Sequence, residues 1–200
     1  MPSKILLNNE GYQPSEADLP CLITYAEKTG GSQFTMTLTA NLLLNGSKIL
    51  MLTAYPMARE NFMEQVVGRE SDVAYVESVE EFEKNKNAKA LILKSGDEDL
   101  FLRVAPGLED INERVVLIKN IEVFDESIFD FVLGFQKVIF SGDIDKCEAK
   151  GSIMKSKFRT IVVFSKPKVP LPFQMLELQK YQGYFWGEAR KGVVRLENGG

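Results

Sequence analysis

Histidine is absent from this 200-residue chain, and cysteine is scarce, with only Cys21 and Cys147. Without histidine, Ser-His-Asp and Cys-His nucleophile schemes are excluded, and so is the commonest zinc ligand. The two cysteines lie far apart and form no Cys-x-x-Cys pair. We therefore expect both to be buried and reduced, as in a cytosolic protein, rather than joined in a disulfide.

The chain also lacks a basic excess and a long apolar run. Its formal net charge is −4 and its pI about 5.1. The composition therefore does not indicate an extensive basic surface for nucleic-acid binding. No segment approaches the roughly 18 consecutive apolar residues of a membrane span. Residues 1–4 lead into only a short apolar stretch before Asn8, which does not resemble a signal peptide. The expected location is the cytoplasm.

The bulk composition is that of a soluble globular protein, with 44% hydrophobic and 26% charged residues. Two hundred residues fit one domain with a substantial core, and we predict a single domain over residues 1–200. Residues 1–19 are predicted as an N-terminal extension, and the polar residues 8–20 are predicted to form a loop that leads into the first core strand. Residues 184–196 are predicted as a closing antiparallel hairpin.

Strands and helices alternate between these ends, which predicts right-handed crossovers and a mainly parallel sheet. The predicted fold class is α/β, a three-layer sandwich. Continuous apolar runs predict strands at 22–25, 49–52, 73–76, 90–93, 115–118, 138–140 and 161–164. Helical spacing predicts helices at 34–44, 58–67, 80–86, 125–135 and, broken near Pro106-Gly107, 100–108.

A glycine turn stands between the first predicted strand and the first predicted helix. Residues 27–34 match best the phosphate-binding motif Gly-x-x-x-x-Gly-Lys-[Ser/Thr]. In that register Gln33 replaces the phosphate-binding lysine, and Phe34 replaces the hydroxyl residue that holds magnesium. Phe34 is therefore expected to fill the metal position with an apolar ring.

Two interpretations of Gly30-Gly31 stay open. Their backbone N–H groups could bind an anion at the helix N-terminus. Alternatively, the glycines form only a tight turn from strand to helix, with Ser32 or Thr29 as the N-cap.

The order of elements over residues 20–196 resembles the RecA-like branch of the P-loop NTPases, which includes RecA/KaiC-type and motor ATPases. The specific part of the likeness is residues 22–53. The resemblance implies a nucleotide-binding fold, ATP or another nucleotide as the ligand, and assembly of subunits with one another. The nucleotide- or phosphate-binding residues that it implies are Lys28, Thr29, Gly30, Gly31, Ser32 and Gln33.

The family's second motif is a hydrophobic strand ending in Asp, which helps to hold magnesium. In the matching segment, Lys119 and Asn120 stand where the acids are expected, and Glu122 comes two residues late. A carboxylate ligates a cation, whereas an ammonium group at that place repels one. Lys119 either contributes to a ligand site at the strand edge or pairs internally with Glu122 or Asp143. Ser141 or Asp143 resembles the polar tip that senses the terminal phosphate.

Because both motifs have lost their charged residues, the sequence favours a degenerate P-loop NTPase-like protein. Such a protein would act as a non-catalytic assembly or regulatory subunit with weak nucleotide or phosphate binding. We assign no catalytic residue and no metal site. One alternative is an active ATPase that uses Lys28 or a partner's lysine, with Glu122 or Asp143 for the metal. Another is a nucleic-acid module like recombinase paralogues, binding through the basic run of Lys155, Lys157, Arg159, Lys166 and Lys168.

Protein partners or self-association are expected. The proline-rich segment 166–173 and the aromatic residues that follow it form either a protein-binding surface or part of the core. Those aromatic residues are Tyr181, Tyr184, Phe185 and Trp186.

Overall fold

The computed structural model describes residues 3–175 and 177–197, and eleven strands within these ranges form one sheet. The strands are β1 (Lys4–Leu7), β2 (Glu10–Tyr12), β3 (Cys21–Thr24), β4 (Ile49–Thr53), β5 (Val73–Val76), β6 (Ala90–Leu93), β7 (Val115–Lys119), β8 (Val138–Gly142), β9 (Thr160–Val163), β10 (Gly183–Gly187) and β11 (Lys191–Glu197). The helices are α1 (Gly31–Leu44), α2 (Met57–Gln65), α3 (Val79–Asn85), α4 (Glu98–Val104), α5 (Glu126–Val132) and α6 (Lys150–Lys155).

The strand order is β2-β1-β11-β10-β9-β3-β8-β7-β4-β6-β5. The seven strands from β9 to β5 are all parallel, which confirms the predicted α/β class with a mainly parallel sheet. In the six strands from β9 to β6 the side chains are buried on both faces, and this is why these segments read as continuous apolar runs.

Helices cover both faces of the parallel part and complete three layers. Helices α1 and α2 pack on one face, where Phe34, Met36 and Phe62 are fully buried. Helices α3 to α6 pack on the other face, where Phe101 and Phe129 are fully buried.

The antiparallel end of the sheet is larger than the sequence predicted. The hairpin β10–β11 is confirmed, but β1 pairs with β11 and β2 pairs with β1 beyond it. The loop predicted for residues 8–20 is therefore wrong over β2, and the N-terminal extension carries two strands of the sheet. The missed signal is Asn8-Asn9, whose positive φ angles of 52° and 68° suit a two-residue hairpin turn. The Asn8 amide also bonds Lys191 O and Val193 N, tying the turn to β11.

Most other predicted elements are confirmed with shifted ends. Helix α5 stops three residues before the predicted 135, and the first helix begins at Gly31 instead of Phe34. Helix α6 was not predicted. Cys21 and Cys147 are buried and lie in the cores of opposite faces, as free thiols. Among the described residues, no helix has the length and apolarity needed to cross a membrane.

The parallel register brings several strand ends to one edge, which we call the carboxyl edge. Thr53 pairs with Lys119, Lys119 pairs with Ser141, and Ser141 pairs with Ile23, so these residues form one row across β4, β7, β8 and β3. The residues that the sequence motifs singled out lie on this row, in the connections that follow it, or in the first turn of α1.

The basic run of residues 155–168 does not form one surface. Strand β9 lies inside it, so Arg159 precedes the strand while Lys166 and Lys168 follow it. A strand of this length spans roughly 13 Å, and the two halves of the run lie at opposite edges of the sheet.

Candidate functional site

The glycine turn is shaped by short local hydrogen bonds. Thr29 Oγ1 donates to the carbonyl oxygen of Ala26 at 2.8 Å, and the Ala26 N–H donates to Ser165 Oγ at 2.8 Å. Lys28 is exposed, with a φ of 61°.

Gly30 is the N-cap of α1, with a left-handed backbone at φ 91°. The expectation that Ser32 or Thr29 caps the helix is therefore wrong. A serine or threonine cap needs an extended backbone, whereas the sharp turn from β3 into α1 requires a positive φ that glycine adopts at little cost.

Tyr25 packs directly on the first residue of α1. A Cβ atom at residue 31 would overlap the Tyr25 ring, so Gly31 is required for this contact. The ring is buried, with 8% of the residue exposed, and its hydroxyl oxygen lies 3.4 Å from Ser141 Oγ. Burial raises the pKa of Tyr25 to about 12, so the hydroxyl stays protonated at neutral pH.

Thr35 completes a buried hydroxyl network with Ser141. The two oxygens lie 2.6 Å apart, and Thr35 Oγ1 also donates to the carbonyl oxygen of Gly31 at 2.9 Å. Both side chains are fully buried. The network joins the first turn of α1 to the end of β8.

Gln33 and Phe34 lie away from this network. Gln33 is exposed, and the Phe34 ring is fully buried against Phe164 with centroids 5.2 Å apart. The expectation that Phe34 fills the metal position is therefore wrong. Successive helix residues turn by about 100°, so Phe34 faces the core while Thr35, one residue later, faces β8.

Lys119 is buried at the end of β7, with 4% of the residue exposed. Its Nζ donates to Asn120 Oδ1 at 3.1 Å, and Asn120 has a left-handed backbone at φ 67°. Burial lowers the pKa of Lys119 to about 8, and the nearby Glu122 carboxylate opposes that shift. Among the described residues, no carboxylate lies within 4.0 Å of Nζ, so the predicted ion pair with Glu122 or Asp143 is wrong.

Glu122 and Asp143 meet, but through the backbone of the β8 turn. Glu122 Oε2 accepts a hydrogen bond from the Asp143 N–H at 3.0 Å, while the Asp143 carboxylate lies 3.2 Å from Lys146 Nζ. Gly142 has a φ of 153°, and a Cβ atom there would overlap Glu122 Oε2. Both carboxylates are thus engaged by the protein itself.

A cleft of about 560 Å³ opens at the carboxyl edge beside Lys119. Ser32 and Asn120 line it with Lys119, and Tyr55 and Met57 form an apolar wall on the α2 side. The structure therefore brings Ser32 to the second-motif residues, whereas Lys28 and Gln33 are outside the cleft. Among the described residues, no group of three or more Asp, Glu, Cys or His side chains could hold a metal ion.

Sequence reasoning missed the two side chains that connect the motifs, Tyr25 and Thr35. Tyr25 stands at the end of a strand just before the glycine turn, and such a position is where a side chain can reach a helix N-terminus. Thr35 begins a Thr35, Thr37, Thr39 series inside a buried helix, where each hydroxyl needs a partner. The sequence contained both signals, but it did not show that β8 lies beside α1 and supplies Ser141 as the partner.

We expect Thr35→Val to lower the free energy of unfolding by about 1–3 kcal/mol, because it leaves Ser141 without its close buried partner. Thr37 offers a matched control, since its buried hydroxyl has no hydrogen-bond partner among the described residues. Urea titrations of both variants provide the measurement, and Thr37→Val should leave the free energy of unfolding unchanged or raise it. Equal losses in the two variants would show that the 2.6 Å contact contributes no stability.

Neither a protein-family model nor a curated protein sequence matches the chain. The structure is similar to EssC, ATPases 2 and 3, from Geobacillus thermodenitrificans, with a TM-score of 0.53, 15% identity and coverage of 98% of this chain and 40% of that one. It is also similar to the cytoplasmic domain of EssC, with a TM-score of 0.51, 15% identity and coverage of 98% and 43%. A weaker similarity, with a TM-score of 0.46, 14% identity and coverage of 90% and 89%, is to the flagellar accessory protein FlaH from Methanocaldococcus jannaschii.

The chain thus spans less than half the length of the EssC structures that it resembles. At this identity the similarity establishes the fold alone. The chain has a P-loop NTPase-like α/β fold of the kind found in those ATPase domains, and its mainly parallel sheet is consistent with the RecA-like arrangement.

Proposed function

We propose that this protein is a non-hydrolysing member of the P-loop fold, acting as an assembly or regulatory subunit. The observation that carries the proposal is the buried Lys119 ammonium at the end of β7, where the resemblance expects a metal-binding carboxylate. The ammonium group carries a positive charge at neutral pH and repels a divalent cation.

The start of α1 supports the same proposal. The residues that follow the first glycine are Gly31 and Ser32, so the first turn of the helix carries no lysine. The Tyr25 ring packs on Gly31 and its hydroxyl lies beside Ser141, so this side chain occupies space between the helix N-terminus and β8. A phosphate group would have to displace it.

The side chains present do not fit a magnesium-bound nucleotide triphosphate. Phosphoryl transfer depends on positioning and on neutralising charge with a lysine and a metal ion. Glu122 is engaged by the Asp143 N–H and Asp143 by Lys146, which leaves neither carboxylate free without rearrangement. What remains for an anion is the backbone N–H groups and the dipole of α1, which support weak binding only.

The first experiment is thermal unfolding with ATP, ADP and GTP, each with and without magnesium. A ligand that binds only the folded state raises the midpoint by mass action. We expect no magnesium-dependent rise and no nucleotide turnover at millimolar ligand. Magnesium-dependent turnover that falls sharply in both Glu122→Gln and Asp143→Ala would overturn the proposal in favour of the ATPase alternative.

A tyrosine pair tests whether Tyr25 blocks the helix N-terminus. Tyr25→Ala should increase the stabilisation that phosphate or nucleotide gives, because the variant frees space beside Gly31. Tyr55→Ala removes the same side chain from an exposed position on the far wall of the cleft and should leave the response unchanged. Each variant is compared with itself in the absence of ligand, so a loss of basal stability does not affect the result.

A further inference from the structure

Exposed apolar side chains are concentrated at the carboxyl edge. Of the six large apolar residues that are exposed among the described ones, five follow the carboxyl end of a parallel strand or lie against the glycine turn. These are Tyr55, Met57, Val79, Val123 and Tyr181. Tyr181 lies over Gly30, while Tyr55 and Met57 follow β4. Clustering of this kind marks an interaction surface, whereas isolated exposed residues do not.

One end of the same edge carries a basic cluster. It lines a cleft of about 570 Å³ and consists of Lys146, Lys150, Lys166 and Lys168. Asp143 and Asp145 lie among the lysines, but Asp143 pairs with Lys146, and the Asp145 carboxylate accepts the backbone N–H groups of Lys168 and Val169. Within the described part of the chain, the other three lysines have no carboxylate within 4.0 Å.

The other end carries an acidic cluster, made of Asp97, Glu98, Asp99 and Asp125. Only Asp97 has a cationic neighbour among the described residues, Lys94 at 3.8 Å. The Glu98 carboxylate accepts the Asp125 N–H at 3.2 Å. Burial raises the pKa of Glu98, and the charges of Asp125 and Asp99 act in the same direction. This end of the edge therefore has a concentrated negative field.

The two clusters are placed symmetrically about the line between β8 and β7, which is the middle of the six strands from β9 to β6. The midline between β8 and β7 has β3 and then β9 on one side, and β4 and then β6 on the other. The basic cluster follows β8 and β9, whereas the acidic cluster follows β7 and β6. Lys150 lies on α6, Asp97 and Asp125 are the N-caps of α4 and α5, and these three helices pack on the same face of the sheet.

The apolar residues have the matching symmetry on the opposite face. Tyr181 contacts Gly30 at the start of α1, the helix that follows β3. Met57 is the first residue of α2, the helix that follows β4. Strands β3 and β4 are equally far from the midline. A two-fold axis perpendicular to the sheet, on this midline, would bring Tyr181 to the Tyr55 and Met57 of a second copy and the basic cluster to that copy's acidic cluster.

From this self-complementary pattern we infer that two copies of the chain associate through their carboxyl edges. An isologous dimer needs one surface that is complementary to itself, and charge and apolarity here satisfy that condition together. The six strands from β9 to β6 give an edge roughly 24 Å long, and its depth includes a helix layer on each face. Such a footprint is of the order of the ~800 Å² per partner of a stable interface.

In the proposed dimer, the partner in the assembly role is a second copy of the chain. The inference therefore rests on that part of the proposed function. It also closes the cleft beside Lys119 against solvent. It does not depend on the absence of nucleotide hydrolysis, which is measured separately.

Charge reversal gives a decisive test in the full chain. Lys166→Glu with Lys168→Glu removes the excess positive charge of the basic cluster, and Asp99→Lys with Asp125→Lys removes the excess negative charge of the acidic cluster. All four side chains are exposed. In sedimentation equilibrium, wild type should have twice the 22.5 kDa monomer mass. The affinity of the two copies for each other should fall at high salt. Each double variant alone should dimerise at least about 100-fold more weakly, and an equimolar mixture of the two should form a heterodimer.

Matched controls reverse the same charges away from the carboxyl edge. Lys155→Glu with Lys157→Glu, and Glu64→Lys with Asp130→Lys, change exposed residues outside both clusters and should dimerise as wild type does. A monomeric wild type, a dimer insensitive to the edge reversals, or a mixture that fails to form the heterodimer would each overturn the inference. A monomer that also lacks turnover would leave the non-hydrolysing part of the proposed function intact.

Discussion

Replacing Lys119 by methionine should raise the free energy of unfolding at pH 7 by about 2 kcal/mol. Burial lowers the pKa of this lysine from 10.5 to about 8. A shift of this size corresponds to about 3 kcal/mol of destabilisation by the buried charge, and loss of the hydrogen bond to Asn120 offsets about 1 kcal/mol. Methionine keeps the length of the side chain without the charge.

The pH dependence distinguishes this effect from simple repacking. Below about pH 8 the ammonium group is protonated in both the folded and the unfolded chain, and the whole cost is present. Between pH 8 and 10.5 the folded protein releases the proton first, so the unfolded state binds more protons and stability rises with pH. The advantage of the methionine variant should therefore shrink over that window, and above it wild type should be the more stable protein by about 1 kcal/mol, the contribution of the hydrogen bond to Asn120.

Urea titrations of wild type and variant from pH 6 to pH 10.5 provide the measurement. Lys84→Met is the control, because Lys84 is exposed on α3, and it should change stability by less than about 0.5 kcal/mol. A variant less stable than wild type at pH 7 would mean that the ammonium group has a stabilising partner. That result would also weaken the argument that Lys119 is a destabilising replacement for a metal-binding acid.

Replacing Arg114 by leucine should cost about 3–5 kcal/mol, because the change leaves buried partners of the guanidinium uncompensated. Arg114 is 1% exposed, and its Nε donates to Asp110 Oδ1 at 2.8 Å. The two terminal nitrogens donate to the carbonyl oxygens of Ala88 at 3.0 Å and Lys86 at 2.9 Å. One side chain thereby ties the start of β7 to the connection between α3 and β6.

Chemical denaturation of Arg114→Leu is compared with Arg103→Leu, an exposed arginine on α4. The control should lose less than about 0.5 kcal/mol. Arg114→Lys should recover only a small part of the loss, since lysine keeps the charge but lacks the planar fork that reaches several oxygens at once. Full recovery by lysine would show that the charge alone matters at this position.

The placement of the candidate site could be predicted only in part. Continuous apolar runs gave the parallel strands, because residues buried on both faces of a sheet must be apolar along their whole length. The same logic missed β1 and β2, which belong to the antiparallel end and are too short to show a clear period. Asn8-Asn9 carried the only local signal for that hairpin.

The role of each side chain after the glycine turn depends on which side of α1 it faces. Aligning the sequence with the motif did not predict that direction. The register placed Phe34 at the metal position, yet the helix begins at Gly31 and turns that ring into the core. Thr35 faces β8 instead and meets Ser141, which is 106 residues away in the chain. No local pattern encodes a contact at that separation.

Local residue order was enough to predict the α/β class, the glycine turn before α1, and a lysine at the end of a buried strand. These are properties of local residue order, and apolar periodicity and glycine conformational freedom are sufficient to indicate them. Two features could be seen only in the folded protein: Tyr25 packs on the first residue of α1, and basic, apolar and acidic groups lie in symmetric order along one edge. Strand order is set by how the crossovers pack against the sheet, so residues distant in sequence become neighbours only once the sheet has formed.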